Sequence, residues 1–366
     1  MTRSLVALLL ALFLPQDVQA YTIATGFTPG CHERITERAY DDFLLGLGGE
    51  GVTVPAGGGE EENDDDATWR RAGAFLVDQV GIDPADLSEE QFFILTSLLV
   101  GVRSPDTEGH AVLNLETSRD LHTDPTPEGQ YAHALRAISD DGEGADLSAV
   151  SGTRARIISE MAEAVRRVEQ DEQNVTAALY FDFYGVVDVE VWGPAFHIGR
   201  AAHALQDSFS HTIRDEADEF RTILTVTNFA EAVTGTLVEE RDGLPHSVSM
   251  DECGEATEPV VEAATQATRA LFVAARDQLR GRNPAATDDL VDGWVRFRPG
   301  CNVANGFCGN ERWLEVLRRE PTTPFLCSAS WGGRPFGSKL ADVLARAVVA
   351  LAFLRVMRRR RKKGAT

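Results

Sequence analysis

The segment HIGRAAHALQDSFSH at residues 197–211 restricts this chain more than any other. It sets His203, Asp207 and His211 at intervals of four residues, and the side chains between them, Ala201, Ala202, Leu205 and Phe209 included, read as one packed helix. Each step of four residues turns about 40° around a helix, so the three polar side chains form a stripe about 80° wide and roughly 12 Å long. One ion with ligands at ~2 Å cannot span that length. Several ions can, with the two oxygens of Asp207 in the middle. A single helix cannot complete such a site. Either the fold carries further ligands to this face, or the stripe is two hydrogen-bonded histidines and a surface acid.

The rest of the body reads as helical. Apolar residues recur at three- and four-residue spacing near 32–47, 67–81, 88–101, 129–139, 149–172, 192–213, 215–236, 258–281 and 310–319. Pro259 marks a helix start, since proline is tolerated in a first turn. No alternating run reads as a convincing strand, and no internal repeat is present. The expected fold class is all-α, one multi-helix domain over residues 21–330, long enough for a substantial core. AGGGEEENDDD at 56–66 reads as a solvated acidic loop without EF-hand spacing.

Both ends differ from this body. Arg3, the apolar run LVALLLALFL and the small-residue end VQA have the layout of a secretory signal over residues 1–20, which leaves Tyr21 as the mature N-terminus. At the other end, LADVLARAVVALAFLRVMRRRRKK at 340–363 joins an apolar stretch to a basic cluster. Following Cys327, it resembles the tripartite sorting tails of bacterial surface proteins. A last amphipathic helix with a basic end fits equally, because Asp342, Arg346 and Arg355 are costly in a bilayer. The expectation is an exported chain, secreted or anchored in the cell envelope through residues 331–366.

Charge sharpens once the ends are set aside. Residues 331–366 hold ten basic groups and one acid, and the signal stretch is neutral, so the body carries −31 of a total of −22. Such a body repels long polyanions unless metal ions reverse the field locally, which disfavours long nucleic acids as partners. Five cysteines in an exported chain point to disulfides. Cys301 and Cys308 flank a short loop and are expected to pair locally. Cys31 and Cys253 are then left to staple the N-terminal helix to a later segment, one of the three pairings that four cysteines allow.

Other segments supply partners for the 203–211 stripe. CHERITERAY sets His32 on the same face as Ile35, Ala39 and Phe43, and GVRSPD brings Asp106 out after an apolar helix. His110 and His122 follow within 16 residues of it, and GLPHSVSMDE offers His246, Asp251 and Glu252 ahead of a long helix. A histidine on an apolar stripe is most often a satisfied core residue, and each acid reads equally well as a cap or turn.

Taken in order, Tyr21, HERI at His32, SPD at Asp106 and FHIGRAAHALQD at 196–207 resemble the zinc-dependent phospholipases C and their relatives, the S1/P1 nucleases. The match in order and coarse spacing runs from Tyr21 to Glu252. The resemblance implies a helical fold with up to three zinc ions. Tyr21, His32 and Asp207 would hold one; Asp106, His122 (or His110), His203 and Asp207 the second; His211, His246 and Asp251 (or Glu252) the third. Asp106 would be the catalytic base as well as a ligand. His197 falls where the family has an aromatic residue and reads as structural, and His133 is left in the core. The chain departs from the family in three ways. Its N-terminal residue is Tyr rather than Trp, three residues rather than five separate Asp207 from His211, and the last pair is not His-x-x-x-Glu.

Zinc lowers the pKa of bound water toward neutrality, and the resulting hydroxide can attack phosphorus in line. No GxSxG pattern points to a serine nucleophile. The expected activity is phosphodiester hydrolysis with a phospholipid substrate, which would bring the protein to a membrane surface. The alternatives are a nuclease of the same fold and a non-catalytic metal-binding protein of the cell envelope. If Tyr21 is a ligand, its amine must be free, because an amide nitrogen has no lone pair to donate. The protein starting at Tyr21 is therefore expected to hold more zinc and to hydrolyse phosphodiesters faster than a form extended by Met-Ala. Equal zinc content by elemental analysis would exclude the amine as a ligand.

Overall fold

Two helices are apolar on nearly every face, and such helices belong in the centre of a fold. The computed structural model describes residues 30–40, 64–79, 84–110, 120–170, 173–181, 185–247, 250–251, 253–254 and 257–318. The signal stretch, Tyr21, Glu252, Cys327 and the tail lie outside the described residues. Helices α1 (Cys31–Tyr40), α2 (Asp64–Gln79) and α3 (Glu89–Thr107) come first, and α4 (Pro127–Ala132) and α5 (Ala145–Glu169) follow. The chain then forms strands β1 (Asn174–Phe181) and β2 (Gly185–Trp192) and helix α6 (Gly193–Ser210). After β3 (Thr212–Arg214) and β4 (Thr222–Val226) come two short helices, α7 (Ala230–Thr234) and α8 (Glu239–Asp242). Helices α9 (Glu258–Leu279) and α10 (Ala286–Trp294), strand β5 (Arg296–Phe297) and helix α11 (Arg312–Arg318) complete the described chain.

Helix α3 is buried from Phe92 to Thr107. It starts at a capping box in which Ser88 accepts from the Gln91 N–H while the Gln91 side chain accepts from Ser88. It runs through Pro105 and ends where Glu108 turns into the left-handed region. Asp106 therefore sits in the last turn of a buried helix, not on the exposed turn expected from SPD. Helix α6 lies directly on α3 with no side-chain layer between them at the crossing. A Cβ added at Gly101 would stand 2.1 Å from the carbonyl oxygen of Phe196, and one at Gly199 would stand 2.4 Å from that of Leu98. Both positions must be glycine for the backbones to approach so closely.

Helix α5 covers α6 from another side. There Glu160 accepts from His197 Nδ1 at 2.6 Å and Arg200 Nε at 2.8 Å, and it pairs with Arg156. His197 is structural, as the sequence suggests. Helix α9 packs against α1, α6 and α10. A buried Glu33–Arg103 ion pair at 2.8 Å joins α1 to α3. The cysteines pair as Cys31–Cys253 and Cys301–Cys308. The first bond closes a span of 222 residues, worth about 5 kcal/mol by the chain-entropy account.

Small sheets correct the all-α expectation. β1 and β2 form an antiparallel hairpin from Asn174↔Trp192 to Phe181↔Gly185. Val189 and Val191 face inward while Asp188 and Glu190 face solvent. This period-two alternation was present in VVDVEV but lay between two stronger helical patterns. The helix expected over 215–236 is also absent. That stretch contains β4, antiparallel to β3 and parallel to β5, and then residues 227–229, where Asn228 bridges to Pro245, before α7. Its β-branched run TILTV favours a fully buried strand. The helix expected over 129–139 is only the short α4, and the acidic run at 56–66 ends inside α2. Among the described residues no helix is long and apolar enough to cross a membrane.

Valine at Gly199 is expected to force α3 and α6 apart and destabilise the protein by about 3 kcal/mol in urea unfolding. Alanine at Gly144, where an added Cβ meets nothing within 4 Å, is expected to change stability by less than about 0.5 kcal/mol.

Candidate metal centre

The α3–α6 crossing brings Asp106 to His203 and Asp207. His203 Nδ1 donates to the Val102 carbonyl of α3 at 2.9 Å, so its Nε2 is aimed at the carboxylates. It lies 3.0 Å from Asp207 Oδ2 and 3.6 Å from Asp106 Oδ1. Helix α1 contributes His32, whose Nδ1 is 2.7 Å from Gln206 Oε1 and whose Nε2 is 3.1 Å from Asp207 Oδ1. The His32 and His203 rings stack at 4.4 Å.

His133 joins this group. It follows α4, and its Nδ1 is 3.2 Å from Asp207 Oδ2, 3.5 Å from Asp106 Oδ1 and 3.2 Å from His203 Nε2. Asp106, His133, His203 and Asp207 each offer one atom within 4.8 Å of the others, an arrangement that could hold a metal ion. His133 is thus in the core, as expected, but its side chain faces the carboxylates. Its position in YAHALRAI carries no spacing signal, and only the fold brings it to Asp207. His122 is adjacent, with Nε2 3.1 Å from Asp106 Oδ1 and its ring 4.4 Å from that of His133. Gln130 holds it there by donating to the carbonyls of His122 and Asp124. His110 is exposed just beyond the end of α3 and is not part of the centre.

A second group lies one helical turn beyond Asp207. His211 caps α6 through an N–H bond to the Asp207 carbonyl, and its Nδ1 donates to the His133 carbonyl. Its Nε2 is 3.6 Å from Asp251 Oδ1, and Asp251 Oδ2 lies 2.7 Å from His246 Nε2. These three residues also offer atoms within 4.8 Å of one another. Asn228 sets the His246 segment in place: its N–H donates to Leu244 O, and its carbonyl accepts from His246 N. Thr227 donates from its N–H and its hydroxyl to the carbonyl of His211. Phe229 lies 5.9 Å from both the His122 and His246 rings. These positioning residues lie in the stretch that reads as a helix in the sequence, so they were missed.

The chemistry of the donor set fits cations. Asp106 and Asp207 are fully buried, and neither pairs with an arginine or lysine among the described residues. Asp106 Oδ2, Asp207 Oδ1, Asp251 Oδ1 and His246 Nδ1 are buried without hydrogen-bond partners. Two inward imidazole nitrogens 3.2 Å apart, at His133 and His203, also require a proton or a metal between them. Three of the rings donate from Nδ1 to an outer acceptor, which fixes the tautomer that leaves Nε2 for a metal. Burial resists charging of Asp106 and Asp207, but the surrounding imidazoles outweigh it and keep both carboxyls below their usual range. Burial lowers His133 to about 4 and His246 to about 3. At His32 burial is outweighed by Asp207, Asp106 and Gln206, and the ring is raised to about 9. Burial pushes Asp251 up to about 7.

No family model, curated protein or solved structure matches this chain. Of the candidates drawn from the sequence, the structure brings together His32, Asp106, His122, His203, Asp207, His211, His246 and Asp251, and adds His133.

A metal bound here must displace whatever protons its ligands carry. His133 and His246 are neutral at pH 7 and lose none; His32 is protonated up to about pH 9, and Asp251 up to about pH 7. Zinc uptake measured by calorimetry in buffers of different ionisation enthalpy is expected to release more protons at pH 6 than at pH 8, because Asp251 carries its proton only at the lower pH, whereas His32 carries its own at both. Apparent affinity should therefore rise with pH, more steeply below 7 than above it. His133→Ala should lower zinc content, and His110→Ala should leave it unchanged.

Proposed function

We propose that this protein is an exported zinc-dependent phosphodiester hydrolase of the phospholipase C type. The observation that carries the reading is the position of Asp207. One of its oxygens faces His32 of α1, and the other faces His203 and His133. One helical turn beyond it, His211 joins His246 and Asp251 in the second group. A carboxylate set between imidazole groups in this way suits a multi-ion site.

The nitrogen and carboxylate donors favour zinc over calcium or magnesium. His32 and Asp207 would hold one ion, together with Tyr21, which lies outside the described residues. Asp106, His133, His203 and Asp207 would hold a second, and His211, His246 and Asp251 a third. Zinc supplies Lewis-acid chemistry there, activating water and neutralising phosphoryl oxygens. The chain's own residues do the rest. His122 holds Oδ1 of Asp106, so Oδ2 is left to accept a proton from the attacking water. Burial of Asp106 and Asp207 keeps bulk water from the carboxylates. The four described cysteines are all in disulfides, which leaves none of them as a nucleophile. The −31 body favours a compact phosphodiester headgroup over a long nucleic acid.

The test uses the mature protein without a tag. Elemental analysis is expected to find up to three zinc ions, and phosphatidylcholine is expected to yield diacylglycerol and phosphocholine. Asp106→Asn should lower this rate at least about 10²-fold. Cleavage of single-stranded DNA with no action on the lipid would reassign the substrate. A single ion or none, with no hydrolysis of either, would sink the enzymatic reading.

A further inference from the structure

Gln206 is fully buried next to Asp207, yet it belongs to neither group of candidate ligands. Its Nε2 donates to Thr36 Oγ1 of α1 at 3.0 Å and to Thr268 Oγ1 of α9 at 3.3 Å. Its Oε1 is 2.7 Å from His32 Nδ1. Which end of this amide faces His32 decides the tautomer of the ring. Once His32 is left with one ring proton, as metal binding requires, both tautomers are chemically available, because the carboxylates of Asp106 and Asp207 can accept from an Nε2–H as well.

Thr268 breaks the tie. Its single hydroxyl proton goes to the Ala264 carbonyl one turn earlier in α9, at 2.8 Å. Toward Gln206 it can therefore only accept. The amide nitrogen must point at Thr268, the amide oxygen at His32, and His32 must donate from Nδ1. The ring position left to face the carboxylates is Nε2, 3.1 Å from Asp207 Oδ1 and 3.8 Å from Asp106 Oδ2. A glutamine meets this need without adding a third buried carboxylate beside Asp106 and Asp207, which would be costly to desolvate.

We propose that Gln206 is a positioning residue that locks His32 in its metal-binding tautomer, with Thr268 and Thr36 fixing the sense of the amide. The inference rests on the metal-centre reading, to which it adds a residue that touches no ion. Groups that orient a ligating imidazole in this way change metal affinity by roughly 10–100-fold.

The experiment compares the full-length mature protein with Gln206→Leu and Gln206→Glu by zinc competition against a chelator and by imidazole ¹⁵N–¹H spectra. A slowly exchanging His32 Nδ1–H is expected in both the zinc-free and zinc-loaded wild type. Gln206→Leu should lose that signal and bind one zinc about 10–100-fold more weakly, with the other ions unaffected. Gln206→Glu, which keeps an acceptor in place, should keep the His32 Nδ1–H signal that Gln206→Leu loses. The proposal is overturned if His32 Nδ1 carries no proton in the wild type, or if Gln206→Leu holds zinc as tightly as the wild type. It is overturned equally if the glutamate variant loses the Nδ1–H signal as the leucine variant does, since an acceptor at this position would then not be what holds that proton. Should Gln206→Leu not fold, the wild-type spectra and the glutamate variant still decide. A wild type with the Nδ1–H but no zinc would instead refute the metal centre, and the role of Gln206 with it.

Discussion

The site depends on the backbone contact between α3 and α6. At Gly101 and Gly199 the two helices meet with no side chain between them. That closeness lets His203 of α6 donate to the Val102 carbonyl of α3 and lets Asp106 reach the same pocket as Asp207. Any larger residue at the crossing would clash with the facing backbone and push the two helices, and their carboxylates, apart. Helix α3 continues through Pro105 and closes at Glu108, whose N–H donates to the Ser104 carbonyl.

Charge divides the core into two kinds of polar cluster. Glu33 is paired with Arg103, and Glu160 with Arg156 and Arg200. Those acids have permanent cations beside them and read as structural ties between helices. Asp106, Asp207 and Asp251 are surrounded by imidazoles instead. An imidazole can give up its proton to a metal, whereas a guanidinium cannot. Within one core, the choice of partner separates acids that hold helices together from acids available to an ion.

Parts of the chain far apart in sequence must be held against this pocket. The Cys31–Cys253 bond ties the start of the His32 helix to the segment just after Asp251. Asn228 and Thr227 hold the His246 segment and His211 through backbone bonds. The His133 carbonyl accepts from His211 while its ring faces Asp207, so one residue touches both groups. An exported protein can rely on such a disulfide, and the two found here accord with an oxidising compartment.

The sequence by itself determined the helical character, the 203–211 stripe and the Cys301–Cys308 pair, because each depends on local periodicity or short spacing. The Cys31–Cys253 pair, 222 residues apart, was one of three possible pairings until the fold chose it. It also pointed to His32, Asp106 and His246 through their order along the chain. The hairpin at 174–192 and strand β4 were less legible, since short apolar runs suit a strand or a buried helix equally until their neighbours are known. Only the tertiary structure set His122 rather than His110 against Asp106 and turned His133 toward the carboxylates. It also set Gln206 against His32 and put Thr227 and Asn228 under the second group. Those assignments depend on contacts across tens to hundreds of residues, and no spacing along the chain encodes which side chains a helix crossing will bring within hydrogen-bonding distance.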